Sequence, residues 1–180
     1  MSLTLAGRWS GPVAMLGGAL WSLKAVGDEV MGPDDITDTL FFVVPLLLLV
    51  GLVTLHARYG GRTAGIGRAG FTQSFIGLAL LAVGILAESL LGPGVAGPIT
   101  SFGFLVLALG LVLLGFGTLR NDALPRWNFL PLMMGVLILL NVVVGDAVWL
   151  RVAISALFGL GWVLLGYVLL SKAETPDGEP

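Results

Sequence analysis

Six apolar runs, each close to the length that crosses a bilayer, leave this chain few ways to fold. They are Trp9–Val26, Leu40–Leu55, Phe71–Leu91, Ile99–Leu119, Leu130–Val144 and Val148–Leu170. A helix of about 20 mostly apolar residues spans a hydrocarbon core of roughly 30 Å, and within that core it must satisfy its own backbone N–H and C=O groups. The fifth run reaches that length only if it starts near Leu124. A water-soluble globule is excluded, because Asp, Glu, Lys and Arg make up only 11% of the 180 residues, against roughly 25% in a soluble domain. The expected fold is all-α: one domain over residues 1–172, a bundle of six transmembrane helices, with an acidic tail at 173–180 too polar to pack.

Turn residues fall where the runs end, at Gly32-Pro33, Gly60-Gly61, Gly92-Pro93-Gly94, Leu124-Pro125 and Gly145-Asp146. Pro45 lies inside the second run and is expected to kink it. Short loops rich in Lys and Arg stay cytoplasmic. Arg8, Arg58, Arg62, Arg68, Arg120, Arg126 and Lys172 fall on one side, while Lys24 and Arg151 fall on the other beside Asp28, Glu29, Asp34, Asp35, Asp38 and Asp146. The chain is therefore expected in the cell (inner) membrane, multi-pass, with both termini cytoplasmic. Trp9, Tyr59 and Trp127 would mark the inner boundary and Trp149 the outer one. A competing reading makes the first run a signal peptide cleaved at Ala25-Val26-Gly27, but Pro12, Gly17-Gly18 and Lys24 suit that poorly.

Laid against each other at an offset of sixty, Met15–Asp28 and Phe75–Glu88 align without gaps, and both continue to Gly-Pro at 32–33 and 92–93. Met133-Met134-Gly135 and Gly145-Asp146 extend the match to the fifth run, which suggests three tandem helical hairpins. The fourth run carries two heptad series of small residues: Gly103, Gly110 and Gly117, and Ser101, Ala108 and Gly115. Residues two apart differ by about 200° around a helix, so the two series face opposite ways and two neighbours could approach at once. Ala14, Gly18 and Ser22 in the first run, and Ser155 and Gly159 in the sixth, form shorter versions.

Reactive chemistry is sparse. The chain has no Cys and a single His56, so thiol redox, iron–sulfur clusters, a bis-His haem and a His-rich metal site are excluded. A net charge of −2 offers nucleic acid no basic stripe. Gly65-Ile-Gly67-Arg68-Ala69-Gly70 matches G-x-G-x-x-G, but it reads as a flexible basic loop between two membrane helices with no preceding strand. No hydroxyl has a base at motif spacing, so no enzyme, cofactor or metal is expected.

Polar groups inside membrane segments are costly and become the functional suspects. Lys24, Asp28, Glu88, Asn141, Asp146 and Arg151 gather at the outer ends of the runs and form the candidate cluster. They would either tie helix ends together or line an outward-facing polar vestibule. Asp28, Glu88 and Asp146 occupy equivalent ends of the odd runs and would meet around a pseudo-threefold axis if those helices line the centre. Glu88, the deepest in its run, is expected to be the most sensitive. Gln73, Gly77, Gly84 and Glu88 share one face of the third run, and His56 is expected at a helix end.

Leu119-Arg-Asn-Asp-Ala-Leu-Pro-Arg-Trp127 and Gly159-Leu-Gly-Trp-Val-Leu-Leu-Gly-Tyr167 resemble segments of small uncharacterised six-span membrane proteins of bacteria. That resemblance implies an inner-membrane bundle and brings no activity. The leading expectation is a non-catalytic protein with a helix-packing or assembly role in the lipid bilayer, alone, as a homo-oligomer or with a partner membrane subunit. The alternative is a small transporter or channel.

Overall fold

A computed structural model shows each apolar run as a helix: α1 (Leu3–Met31), α2 (Val43–Tyr59), α3 (Ile66–Leu91), α4 (Pro93–Arg120), α5 (Leu130–Val143) and α6 (Val148–Ser171). The structure describes residues 3–32, 38, 41–61, 65–122, 124, 127–144 and 147–171, with the backbone alone for residues 3–8 and Pro93. Arg62, Arg126, Asp146, Lys172, Asp34, Asp35 and the tail 173–180 lie outside the described residues.

Three helices, α3, α4 from Gly94 onward, and α6, are long and apolar enough to cross a membrane. The others fall short for separate reasons. α2 and α5 are apolar but have only 17 and 14 residues, so α5 rises about 21 Å against a core of roughly 30 Å. α1 has 29 residues, but glycines, Pro12 and Lys24 dilute its apolar character. α5 does not reach back to Leu124 because Asn128 organises a loop there. Its Oδ1 accepts the Leu124 N–H at 2.5 Å, its Nδ2 donates to Asp122 at 3.0 Å, and its carbonyl oxygen accepts the Thr118 hydroxyl at 2.8 Å.

The expected kink at Pro45 does not arise. α2 starts at Val43, which puts Pro45 in the first turn, where its missing N–H would have had no intrahelical partner anyway. α3 and α4 are joined through the single residue Gly92, whose φ of 84° lies in the left-handed region and whose N–H caps the Glu88 carbonyl at 2.9 Å. Pro93 then opens α4 with its φ already helical.

The helices alternate in direction and follow chain order around a ring that α1 and α6 close. Small residues seal it. Gly11 and Gly18 of α1 meet Gly166 and Gly159 of α6, and Ser22 Oγ bridges to the Ala156 carbonyl at 3.0 Å. Along α4, Gly103, Gly110 and Gly117 face Leu81, Ser74 and Gly67 of α3, while Gly115 faces Leu132 and Ala108 meets Gly135 of α5. Both series read from the sequence thus serve two opposite neighbours, with Ser101, which lines a cavity, as the exception.

The hairpin correspondence holds for two hairpins and fails for the third. Gly17 packs on Leu47 and Leu48 of α2, and sixty residues on Gly77 packs on Leu107 of α4; Ala14 with Gly51 likewise parallels Ser74 with Gly110. Gly135, the counterpart in α5, instead backs onto Ala108 and Val112 of the preceding helix. α5 has made α4 its closer partner, so three equivalent hairpins do not form.

Candidate functional site

Lys24 and Asp28 lie one turn apart on α1, a spacing that brings opposite charges together. The Lys24 ammonium reaches both Asp28 oxygens at 2.5 Å and also pairs with Asp38. It stands 5.8 Å from the centre of the Phe41 ring, close enough for a cation–π attraction. Asp38 reads in the sequence only as a loop charge; its signal was its place in the short connection that returns to α2 beside Lys24.

Asn141 is the polar centre of a second group. Its Nδ2 donates to the Arg151 carbonyl at 3.2 Å and to Ser155 Oγ at 3.0 Å, joining α5 to α6 near their connection. Arg151 takes part through its backbone; its guanidinium is exposed and makes no ion pair among the described residues. Glu88 stands apart from both groups, beside Gly97 of α4 and without an ion pair among the described residues. α1 lies against α2 and α6, whereas α3 lies against α2 and α4, so Asp28 and Glu88 belong to helices that are not neighbours. The candidate cluster is therefore divided, with Lys24 and Asp28 in one place, Asn141 and the Arg151 backbone in another, and Glu88 in a third. Asp146 lies outside the described residues.

Trp21, one turn before Lys24, fills the space between the two polar groups. Its ring centre lies 5.3 Å from Phe41, 5.9 Å from Phe104 and 5.1 Å from Phe158, within the range of favourable tilted and edge contacts. Against this aromatic wall lies a cavity of about 400 Å³ bounded by α1, α4, α5 and α6. Leu137, Ile138 and Ile154 complete its apolar lining, and Ser101, Asn141 and Ser155 supply polar groups from three helices. The cavity exists because small-residue contact gives out there. Gly115 and Ala108 draw α5 onto α4, but one heptad further Ser101 is exposed and lines the cavity. Leu105 and Val142, 46% and 72% exposed, flank a mouth between α4 and α5.

Ser101 and Ser155 read in the sequence as packing residues and Trp21 as one of many apolar positions in the first run; helix phase alone places Trp21 and Ser155 near the polar ends. A second hollow, about 430 Å³, flanks the ion pair between Leu20, Leu23, Phe41 and Val44.

At the opposite end, His56 stacks on Phe71 at 3.9 Å between ring centres, and Arg58 Nη1 donates to the Leu169 carbonyl at 2.5 Å. The latter sets a positive charge on the last turn of α6, where the helix dipole favours it. Tyr59 is buried in the core and does not sit in an aromatic belt, because α3 and α4 close over the end of α2 through Phe71, Leu114 and Thr118. The G-x-G-x-x-G stretch is likewise not a flexible loop. Gly65, at a φ of 61°, precedes α3, while Gly67 and Gly70 are buried against Gly117 and Leu114 of α4. The shared face of α3 belongs to the same seam, since Gly77 and Gly84 meet Leu107 and Thr100.

Among the described residues no group of three or more His, Asp or Glu side chains could hold a metal ion. No family model, no curated protein and no solved structure matches the chain.

Proposed function

We propose that the chain is a six-span protein of the inner membrane, both termini cytoplasmic, acting without catalysis through helix packing and assembly. The observation that carries this reading is the use of its glycines. From Gly11 and Gly18 in α1 to Gly161 and Gly166 in α6, glycines along the helices are set against a neighbouring helix, with Gly27 and Gly94 near helix ends left open; this is the arrangement expected where packing replaces the hydrophobic effect as the source of association. Outward-facing Leu46 and Val53 on α2 and Val136 and Leu140 on α5 support placing the short helices against lipid as well. Arg68 and Arg120, exposed at the His56 end, support the orientation. With these seam glycines engaged inside the chain, contact with a second copy or a partner subunit falls mainly to larger apolar side chains.

The alternative, a small transporter or channel, draws on the cavity beside Asn141. Proteoliposomes separate the two. The packing reading expects no solute movement beyond that of empty vesicles under proton, sodium or potassium gradients. Saturable uptake would overturn it in favour of transport.

A further inference from the structure

We propose that the cavity beside Trp21 is a binding site for a neutral, lipid-soluble alcohol, entered sideways between α4 and α5. This goes beyond the packing role and rests on that reading only for the placement of α5 against lipid, since a bundle that moves no solute can still hold such a molecule.

The size is right, because pockets that take small organic molecules run from about 300 to 1,000 Å³ and are mostly apolar with a few placed polar groups; this one measures about 400 Å³. Its lining excludes a charged ligand. Trp21, Phe104 and Phe158 form the wall, the polar members are Ser101, Asn141 and Ser155, and none of the described residues that line it is ionisable. Lys24 is turned to the two carboxylates of Asp28 and Asp38. A charge brought into such a space would lose its hydration and find no counter-charge.

The polar groups select the head. Both hydrogens of Asn141 Nδ2 are occupied by the Arg151 carbonyl and Ser155 Oγ, so the side chain has only its acceptor, Oδ1, to offer. Ser155 Oγ accepts from Asn141 and keeps its own proton to donate. An acceptor and a donor side by side complement a hydroxyl, which donates once and accepts once. A ketone or ether would leave Asn141 unanswered. The mouth points to the same solvent as the ligand's, for Leu105 and Val142 face outward among apolar neighbours.

The test uses the protein in lipid nanodiscs with bromododecanol, whose bromine quenches tryptophan fluorescence. Saturable quenching is expected, and Trp21→Phe should remove its saturable part. Asn141→Leu, and separately the methyl ether of the same probe, should each weaken binding about tenfold, the effect of one lost buried hydrogen bond. Val142→Trp closes the mouth from an exposed position that the fold does not need, and should abolish saturable quenching with thermal stability unchanged. Quenching that rises only linearly with probe, as partition into lipid gives, would overturn the proposal. So would an ether or a bromododecanoate anion that binds as well as the alcohol, or unaltered binding in a folded Val142→Trp protein.

Discussion

Ser74 is fully buried between α3 and α4, and its hydroxyl has no hydrogen-bond partner among the described residues. Its service is its size, since it lies against Gly110. Ser74→Ala should therefore preserve stability or raise it by up to about 1 kcal/mol, read as the thermal midpoint in detergent; a clear loss would reveal a bond the hydroxyl makes in solution. The acids separate on similar grounds. Asp28 holds an ammonium only 15% exposed, whereas Glu88 has no ion pair among the described residues. Depth along a run points to Glu88 as the most sensitive acid; the ion pairs point to Asp28. Asp28→Asn should cost about 1 kcal/mol and Glu88→Gln less than about 0.5, measured side by side in one detergent. Depth could be counted along the chain, but the return of Asp38 onto Lys24 depends on a contact between two elements.

At the scale of the helix, α4 serves two neighbours at once. Gly110→Leu would drive a branched side chain into the backbone of α3 at Gln73 and Ser74, and overpacking of this kind costs about 1–3 kcal/mol or more. Gly94 provides the control, since it lies in the first turn of the same helix with nothing near its missing Cβ. Gly94→Ala should be neutral or stabilise by about 0.5–1 kcal/mol through helix propensity. Equal thermal midpoints for Gly110→Leu and wild type would show that α3 and α4 do not press together there. The two faces of α4 were legible before any contact was known, because a heptad of small residues has a fixed angular position on a helix. The length of α5 was not, because Asn128 takes the Leu124 N–H through a side-chain bond that leaves no periodic trace.

For the whole molecule, the proposed orientation is open to a clean measurement because the chain contains no cysteine. Gly61 and Gly94 are exposed at opposite ends of the ring, with open space around each. In intact cells, Gly94→Cys should react with a membrane-impermeant maleimide, and Gly61→Cys should react only after the membrane is opened. The reverse pattern would overturn the loop-charge argument and place the mouth at Val142 in the cytoplasmic half of the membrane.

An all-helical fold, the approximate helix ends and the glycine seams could be read along the chain, because apolar length, turn residues and helical phase are local quantities that neighbours along one strand of backbone already settle. Which helices touch could not. The closing of the ring by α1 and α6, the preference of α5 for α4, and the division of the outer polar residues into separate places follow from how six apolar cylinders share volume. An apolar side chain carries no label for its partner, so the cavity beside Trp21 appears only when four helices are set together and one of their small-residue contacts is found to end at Ser101.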